Sequence, residues 1–205
     1  MQKNEKSKKK YHHENLKEVL VDTSLEILEG EGLESITLRY VTARIGTSRT
    51  SVYRHFDSKE HLLQALILRG FRKLNDVLEP ILLQKEVGVI PRLRLMGKAY
   101  VGFAMENKAL YRIMLGDRLS TLRETRCEDD LDYINTGFNA LVSLMLEGQE
   151  KKVFIHGDSS IQASSIWAII HGQASLLIDS HTMIEDNKEM ILNETLDVVI
   201  RAYSV

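Results

Sequence analysis

The segment from Ile36 to Lys59, ITLRYVTARIGTSRTSVYRHFDSK, constrains the fold of this 205-residue chain more than any other part of it. Leu38, Val41 and Ile45 recur at helical spacing, which predicts a short helix with one buried face. Gly46 follows directly and supplies a sharp bend. The helical spacing then resumes, so the segment predicts two short helices joined by a glycine turn.

Hydroxyl-bearing residues mark the start of both helices. Thr37 precedes the first helix and Ser48 precedes the second, and such residues are preferred N-caps because their oxygen accepts a hydrogen bond from a free backbone N–H. Val52 and Phe56 should face inward on the second helix. Its outward residues are Arg49, Thr50, Ser51, Tyr53 and His55. A helix-turn-helix with this outer face is suited to placing its second helix in the major groove of DNA.

Charge is unevenly distributed along the chain, although the formal net charge is only -2. Residues 1–13 carry five lysines against one glutamate, and residues 35–59 carry five cations against one aspartate, a local charge of +4 in each case. Residues 14–34 carry one lysine against seven acids, a local charge of −6. Local charge determines the attraction to phosphate, so the basic stretches favour a nucleic-acid partner. We expect residues 14–34 to form an acidic helix that faces away from DNA or neutralises nearby arginines.

A run of cations by itself more often marks a solvated helix face than a binding surface. Here the glycine turn and the hydroxyl-rich second helix make a DNA-binding surface the favoured interpretation. The basic arm at residues 1–13 has two open interpretations, because it could contact phosphates or the minor groove, or serve only to keep the protein soluble. His12 and His13 lack the clustered partners of a metal site, so we expect packing or capping there and no metal or cofactor.

Only two prolines occur, and no long segment alternates apolar and polar residues. These features predict an all-α protein of about nine helices. We expect a basic arm at 1–13, a helix-turn-helix DNA-binding domain at 14–70 and an effector-binding and dimerisation domain at 71–205. The boundary should fall along a long helix that begins near Lys59, without a flexible linker.

Composition and motifs argue against several classes of protein. The single cysteine, Cys127, cannot form an internal disulfide, which favours a reducing compartment. No apolar run approaches the roughly 18 residues of a membrane helix, and no signal-peptide core follows the charged N-terminus, so we expect a cytoplasmic protein with no membrane partner. Enzyme motifs are lacking, and nothing supports a helical hydrolase that would use Ser159 and His171, so no catalytic residue is expected.

The first 75 residues resemble the tetracycline-repressor (TetR) family of bacterial transcription regulators. The supporting strings are YHHENL at 11–16, LEGEGLESITLR at 28–39 and IGTSRTSVYRHFDSKEHLLQAL at 45–66. The rest is similar to one subgroup of C-terminal domains in that family, through YVGFAMENKALYRIMLG at 100–116 and the pattern Trp167…His171-Gly172. This resemblance implies a homodimer that binds a palindromic operator in double-stranded DNA, with an effector site in each subunit.

The same resemblance assigns roles to single residues of the helix-turn-helix. Arg49, Thr50 and Ser51 correspond to positions that read bases, and Arg49 could donate two hydrogen bonds to one guanine. Arg39 corresponds to a position that reaches a base or the minor groove. The positions that hold the DNA backbone are Thr37, Ser48, Tyr53, His55 and Lys59.

Aromatic, methionine and histidine residues in the second half of the chain are candidates for the effector site. They are Tyr100, Phe103, Tyr111, Met114, Phe138, Trp167 and His171. Each of them alone is more often a core residue, and the resemblance shifts the balance towards a pocket. Trp167 and His171 are four residues apart and share a helix face, but a hydrogen-bonded core role for His171 is equally open. The mixture favours a small apolar or amphipathic effector.

The last two predicted helices are candidates for a four-helix dimer interface. Residues 160–180 are apolar on more than one side, so this helix needs two partners, of which one could be another subunit. The candidate contacts are Ser164, Ala168, Gly172, Ser175, Leu192, Leu196 and Val199.

Taken together, these features predict a ligand-responsive transcription regulator, most simply a repressor that a small molecule releases from DNA. Two alternatives stay open. A helical protein-interaction adaptor would share the dimer helices without needing Arg49 or Lys59, and a regulator could also act without any small-molecule inducer.

Overall fold

The computed structural model describes residues 16–116, 128–180 and 187–205. Within these ranges the chain forms nine α-helices and one short 3₁₀ helix, which confirms the predicted all-α class. The basic arm predicted at residues 1–13 lies outside the described residues, as does most of the polar stretch that follows Gly116.

The α-helices are numbered here in chain order. Their bounds are α1 Leu16–Glu31, α2 Leu38–Ile45, α3 Arg49–Tyr53, α4 Lys59–Leu83, α5 Val89–Glu106, α6 Lys108–Leu115, α7 Glu128–Glu150, α8 Ser159–Ile178 and α9 Lys188–Tyr203. The 3₁₀ helix Leu33–Ser35 lies between α1 and α2. Pro91 stands in the first turn of α5, where the missing N–H of proline costs no hydrogen bond.

Two compact units make up the described chain, and the division between them falls within α4. The first, called the head, contains the described residues up to Gly70 and those of α6 from Ala109 onward. The second, called the body, contains Phe71–Lys108 and the described residues from α7 to the end of the chain. Helices α1, α2 and α3 therefore belong to the head, and α5, α7, α8 and α9 belong to the body.

Apolar side chains from four helices form the core of the head. Fully buried examples are Leu20, Ile27, Val41, Val52 and Leu62. Each such side chain contributes roughly 1.5–3 kcal/mol by its removal from water. The only buried hydroxyl on α1, that of Ser24, is satisfied because it donates to the Leu20 carbonyl at 2.7 Å. This core holds α2 and α3 at a fixed angle on α1.

Helix α8 is the centre of the body, because it packs against α5, α7 and α9. Gly97 of α5 permits the closest approach. A Cβ at this position would collide with Leu196 of α9 and would lie 3.8 Å from Ile170 of α8. Three helices therefore meet at one glycine.

A short antiparallel bridge attaches the end of α9 to the segment that follows α7. Phe154 pairs with Ser204, the Ile155 N–H donates to the Tyr203 carbonyl at 2.8 Å, and the Val205 N–H donates to the Val153 carbonyl at 3.1 Å. The bridge fixes the C-terminal end of α9 against the body.

A fully buried arginine ties the start of α5 to α7. Arg92 donates from Nε to the Val87 carbonyl at 3.0 Å and from Nη2 to the carboxylate of Glu147. Lys85 and Lys151 contact the same carboxylate at 3.3 Å and 2.7 Å. Hydrogen bonds from Arg92 and then from Lys151 outweigh the effect of burial and lower the pKa of Glu147 from 4.5 to about 2.

Helix α8 corrects one expectation from the sequence. Among the described residues it is the one helix whose length and apolar composition would allow it to cross a membrane. The core helix of a water-soluble protein passes the same test, and α8 packs against three other helices of the body. Its exposed apolar side chains are Ile161, Trp167, Ile169 and Leu176. These residues form a surface that the body itself does not cover.

Candidate nucleic-acid interface

The turn between α2 and α3 has the geometry that its sequence predicts. The Thr37 hydroxyl caps α2, since it accepts a hydrogen bond from the Tyr40 N–H at 3.1 Å. Gly46 lies in the left-handed region, with φ 72° and ψ 30°, and its N–H donates to the carbonyls of Thr42 and Ala43. A residue with a Cβ would pay about 1–2 kcal/mol in this conformation. Glycine therefore allows the chain to reverse before α3.

Ser48 fixes the start of α3. Its Oγ accepts a hydrogen bond from the Ser51 N–H at 3.1 Å and lies 2.8 Å from the Ser51 Oγ. A cap of this kind contributes about 1 kcal/mol, which is large for a helix of five residues. The Ser51 hydroxyl, predicted to read bases, is thus also part of the cap.

Helix α3 turns its apolar residues inward and its polar residues outward. Val52 and Phe56 are only 0% and 2% exposed, whereas the Tyr53 side chain is 53% exposed. Arg49, Thr50, Arg54 and His55 are also exposed, whereas Ser51 is half-buried. The predicted inward face is confirmed, and so is the predicted outward face except at Ser51, which is half-buried at the helix cap.

Acidic residues of α1 neutralise two arginines that lie outside α3. Arg44 of α2 pairs with Glu31, and Arg69 of α4 pairs with Glu18 and, at 3.1 Å, with Asp22. Within the described part of the chain, three exposed arginines of the helix-turn-helix make no ion pair, namely Arg39, Arg49 and Arg54. The expected neutralisation by the acidic helix is confirmed, and it leaves Arg49 of α3 and the adjacent Arg54 without an acidic partner among the described residues.

Lys59 has a structural contact that the sequence did not indicate. Its Nζ donates to the Leu33 carbonyl at 3.3 Å, which links the first turn of α4 to the 3₁₀ helix. An ammonium group has three N–H donors, so this bond leaves donors for a phosphate.

Three of the predicted effector-site residues form one cluster in the body. Trp167 Nε1 donates to the Tyr100 hydroxyl at 3.1 Å, and that hydroxyl lies 3.4 Å from His171 Nδ1. The rings of Trp167 and His171 stack with their centroids 5.5 Å apart. Burial lowers the pKa of His171 below its ordinary value, which favours the neutral imidazole. In the tautomer without a proton on Nδ1, this nitrogen accepts a hydrogen bond from the Tyr100 hydroxyl.

The other effector-site candidates are distributed over three helices. Phe103 is buried on α5, and Phe138 is half-buried on α7. Tyr111 and Met114 are buried on α6 in the head, where a Cβ on Gly70 would collide with Met114. The cluster of Tyr100, Trp167 and His171 is therefore the part of the predicted site that the structure brings together. No group of three or more His, Cys, Asp or Glu side chains in the described ranges could hold a metal ion.

The predicted dimer contacts divide into accessible and buried residues. The accessible or half-buried ones are Ser164, Ala168, Gly172, Ser175 and Leu192. Leu196 and Val199 are each 1% exposed, because they belong to the core of a single protomer. They cannot offer surface to a second copy, which corrects the prediction for these two residues.

An apolar groove that the sequence did not predict lies between α8 and α9. Its volume is about 500 Å³, and it is lined by Ile169, Met190, Ile191, Glu194, Thr195 and Val198. Met190 is 61% exposed and Val198 is 49% exposed. In the sequence, α9 has two neighbouring apolar stripes. One of them is buried in the body, and the other lines this groove.

A capped helix-turn-helix with unneutralised outward cations, carried on a helical body, defines the protein as a DNA-binding transcription regulator rather than an enzyme. Residues 20–66 match the description "Bacterial regulatory proteins, tetR family", and residues 93–199 match "Tetracyclin repressor-like, C-terminal domain". The second match alone spans more than half of the chain. The chain belongs to the tetR family, whose members bind double-stranded DNA and dimerise.

The chain is also similar to single proteins and solved structures. The nucleoid occlusion factor SlmA of Pectobacterium carotovorum is 28% identical over 179 residues, which cover 85% of this chain and 89% of that protein. A structure of a protein of unknown function from Rhodococcus sp. has a TM-score of 0.82 at 24% identity and covers 95% of this chain and 98% of that one. PfmR, a TetR family regulator from Thermus thermophilus, has a TM-score of 0.66 at 19% identity, with coverages of 89% and 97%.

Proposed function

We propose that this protein is a cytoplasmic, effector-responsive repressor that binds a palindromic operator as a homodimer. The observation that carries the DNA-binding part is the exposed face of α3, whose arginine has no acidic partner among the described residues. The effector part is supported by the hydrogen-bonded cluster of Tyr100, Trp167 and His171 in the body. This cluster also agrees with the proposed Trp-His-Gly subgroup of the family.

A second candidate is a regulator that acts without a small-molecule inducer. The observation in its favour is the 28% identity to proteins named for nucleoid occlusion rather than for a response to a small molecule. Both candidates need the same DNA-binding head. A protein-interaction adaptor would not need the exposed cations of α3, so DNA binding separates it from the first two.

On DNA, we propose that α3 lies in the major groove and that Arg49 and Thr50 read base edges. Thr37, Ser48, Tyr53 and His55 lie at the ends and the rim of this surface and would hold phosphates. In a dimer, two such helices reading one side of the duplex should be about 34–36 Å apart.

Arg49 and Lys59 should differ in how they contribute to DNA binding. Arg49→Ala should weaken binding to the cognate operator by about 1–3 kcal/mol and reduce the preference over unrelated duplexes, because a base contact is lost. Lys59→Ala should weaken all duplexes alike and lower the salt slope by about one unit. Fluorescence anisotropy with operator and scrambled duplexes at several salt concentrations measures both effects.

Lys73, which lies on α4 but in the body, provides the control for loss of a positive charge. Lys73→Ala should leave both the operator preference and the salt slope close to the wild-type values. If Arg49→Ala and Lys59→Ala also bind like the wild type, the assignment of the interface is wrong.

For the dimer, we propose that the groove between α8 and α9 faces the second copy. Ile169, Met190 and Val198 expose apolar area along it, and the small residues Ala168 and Gly172 lie on the same accessible side of α8. A second copy would remove this apolar area from water, which drives association. Of the four exposed apolar side chains of α8, Ile169 lies in this groove and would be covered by the same contact.

The effector site can be tested with the protein's own fluorescence, because Trp167 is the only tryptophan. A bound effector should change the Trp167 emission and lower operator affinity, and the two effects should have the same midpoint. The coupling between sites is typically about 1–3 kcal/mol, or roughly 5- to 150-fold in operator affinity. A compound library that changes neither emission nor operator binding would favour the regulator without an inducer.

A further inference from the structure

Asn75 carries a buried hydrogen-bond acceptor that has no partner among the residues that the structure describes. It lies on α4 in the body and is only 6% exposed. Its Nδ2 donates to the Tyr133 carbonyl at 3.0 Å, whereas its Oδ1 makes no hydrogen bond within the described ranges. Buried polar atoms are nearly always paired, so an unpaired one needs an explanation.

The direction of the Asn75 amide is determined by its neighbour. A reversed amide would place Oδ1 against the Tyr133 carbonyl oxygen, and two acceptors repel each other. The acceptor must therefore point away from Tyr133 and into the contact between α4 and α7. Because no described residue donates to it, this oxygen would forfeit the hydrogen bond that it makes with water in the unfolded chain unless another molecule supplies a donor.

Helix α7 leaves room for this oxygen at Gly137. A Cβ on Gly137 would lie 3.2 Å from Asn75 Oδ1 and 3.4 Å from Leu78 Cδ1, so only glycine accommodates the amide without displacement. The buried neighbours on the same faces of the two helices are apolar, namely Leu74, Leu78, Ile134 and Leu141. Asn75 Oδ1 is thus a polar atom among apolar side chains in the contact between α4 and α7.

We propose that Asn75 Oδ1 accepts a hydrogen bond from an uncharged hydroxyl or amide N–H of the effector, and that the rest of the effector is apolar. This inference rests on the proposed effector response and names the chemistry of its ligand. A carboxylate would be repelled by the amide oxygen. An ammonium group would be buried without a counter-charge among these neighbours, which is costly. The competing occupant is a buried water molecule, which could satisfy the same acceptor.

A pair of matched probes tests the inference, 1-octanol and octyl methyl ether. The alcohol can donate a hydrogen bond and the ether cannot, while their chains are alike. The wild-type dimer should bind the alcohol about threefold to tenfold more tightly than the ether, the size of one hydrogen bond. Both affinities are measured by Trp167 fluorescence and by thermal shift.

Asn75→Leu should bring the ratio of alcohol to ether affinity to about one. Asn135→Leu, a substitution at an exposed position of α7, should keep the wild-type ratio. Gly137→Ala provides a second variant if Asn75→Leu does not fold, since its Cβ would displace the amide and lower the ratio without removing the acceptor. A purely structural role for Asn75 would change stability but not this ratio.

An equal response of the wild type to the two probes, including no response to either, overturns the inference and leaves water as the occupant. A wild-type preference for the alcohol that persists in Asn75→Leu also overturns it. A different result would contradict the proposed function alone. In that case probe binding depends on Asn75, but neither the alcohol nor any compound of the effector library changes operator affinity.

Discussion

Gly172→Arg should lower the affinity for a palindromic operator by about 10²–10⁴-fold, because it should separate the two DNA-binding heads. Gly172 lies on α8 beside the proposed dimer groove, and a Cβ at this position meets nothing within 4 Å in its own protomer. The substitution therefore leaves the fold of one subunit unstrained but places a charge in an apolar interface. Loss of the dimer removes the gain from simultaneous binding of two half-sites.

Gly102→Arg is the matched control for this experiment. Gly102 lies on α5, and a Cβ added there would also meet nothing within 4 Å, so the two variants carry the same side chain at equally open backbone positions. Sedimentation equilibrium should give a dimer for Gly102→Arg and a monomer for Gly172→Arg. Under conditions in which both variants are monomeric, their subunits should melt at similar temperatures. A dimeric Gly172→Arg protein with wild-type operator affinity would exclude this face as the interface.

Arg92→Leu should destabilise the protein by about 3–5 kcal/mol, the usual effect of removing one partner from a buried ion pair. The substitution leaves the Glu147 carboxylate with only two exposed lysines as partners and leaves the Val87 carbonyl without its donor. Urea unfolding, followed by circular dichroism at pH 7, measures the change in the free energy of unfolding.

Arg94→Leu is the control on the same helix. Arg94 pairs with Asp197, but the two side chains are 34% and 42% exposed, and such pairs contribute about 1 kcal/mol or less. A loss as large as that of Arg92→Leu would show that the helix, rather than the buried pair, responds to any change of arginine.

The same pair predicts how stability depends on pH. The pKa of Glu147 is lowered from 4.5 to about 2 in the folded protein, so its ionised form stabilises the fold above pH 4.5. That contribution is lost as the pH falls from 4.5 towards 2. The stability difference between wild type and Arg92→Leu should therefore be smaller at pH 3 than at pH 7. An unchanged difference would mean that Arg92 stabilises the fold through its hydrogen bonds to backbone carbonyls, that of Val87 among them, and not through the Glu147 carboxylate.

Local features of the head could be predicted from the sequence because their causes are local. The caps at Thr37 and Ser48 and the left-handed turn at Gly46 involve partners at most four residues away. The Asp158 cap of α8 follows the same rule, since it accepts from the N–H groups of Ser160 and Ile161. Short hydrogen-bonded motifs of this kind carry their own residue preferences.

Contacts between distant segments could not be predicted in the same way. The pairing of Arg92 with Glu147 and the contact of Lys59 with Leu33 depend on how the helices pack, and neither has a signature in spacing. On α9 the sequence offered two apolar stripes of similar character. Only the packing on α5 and α8 identifies the stripe with Leu196 as the buried one.

The brevity of the recognition helix limits how much sequence one subunit can distinguish. Helix α3 has five residues and is about 7.5 Å long, which corresponds to roughly two base-pair steps of duplex. A genome contains any such short base sequence at very many places. Selectivity for one operator must therefore come from the spacing of two copies of the protein and from residues beside the helix. If Arg49 and Thr50 read bases as proposed, substitutions at these two positions would change only this part of the selectivity. Under the proposed function, the choice of operator could therefore change while the fold stays the same.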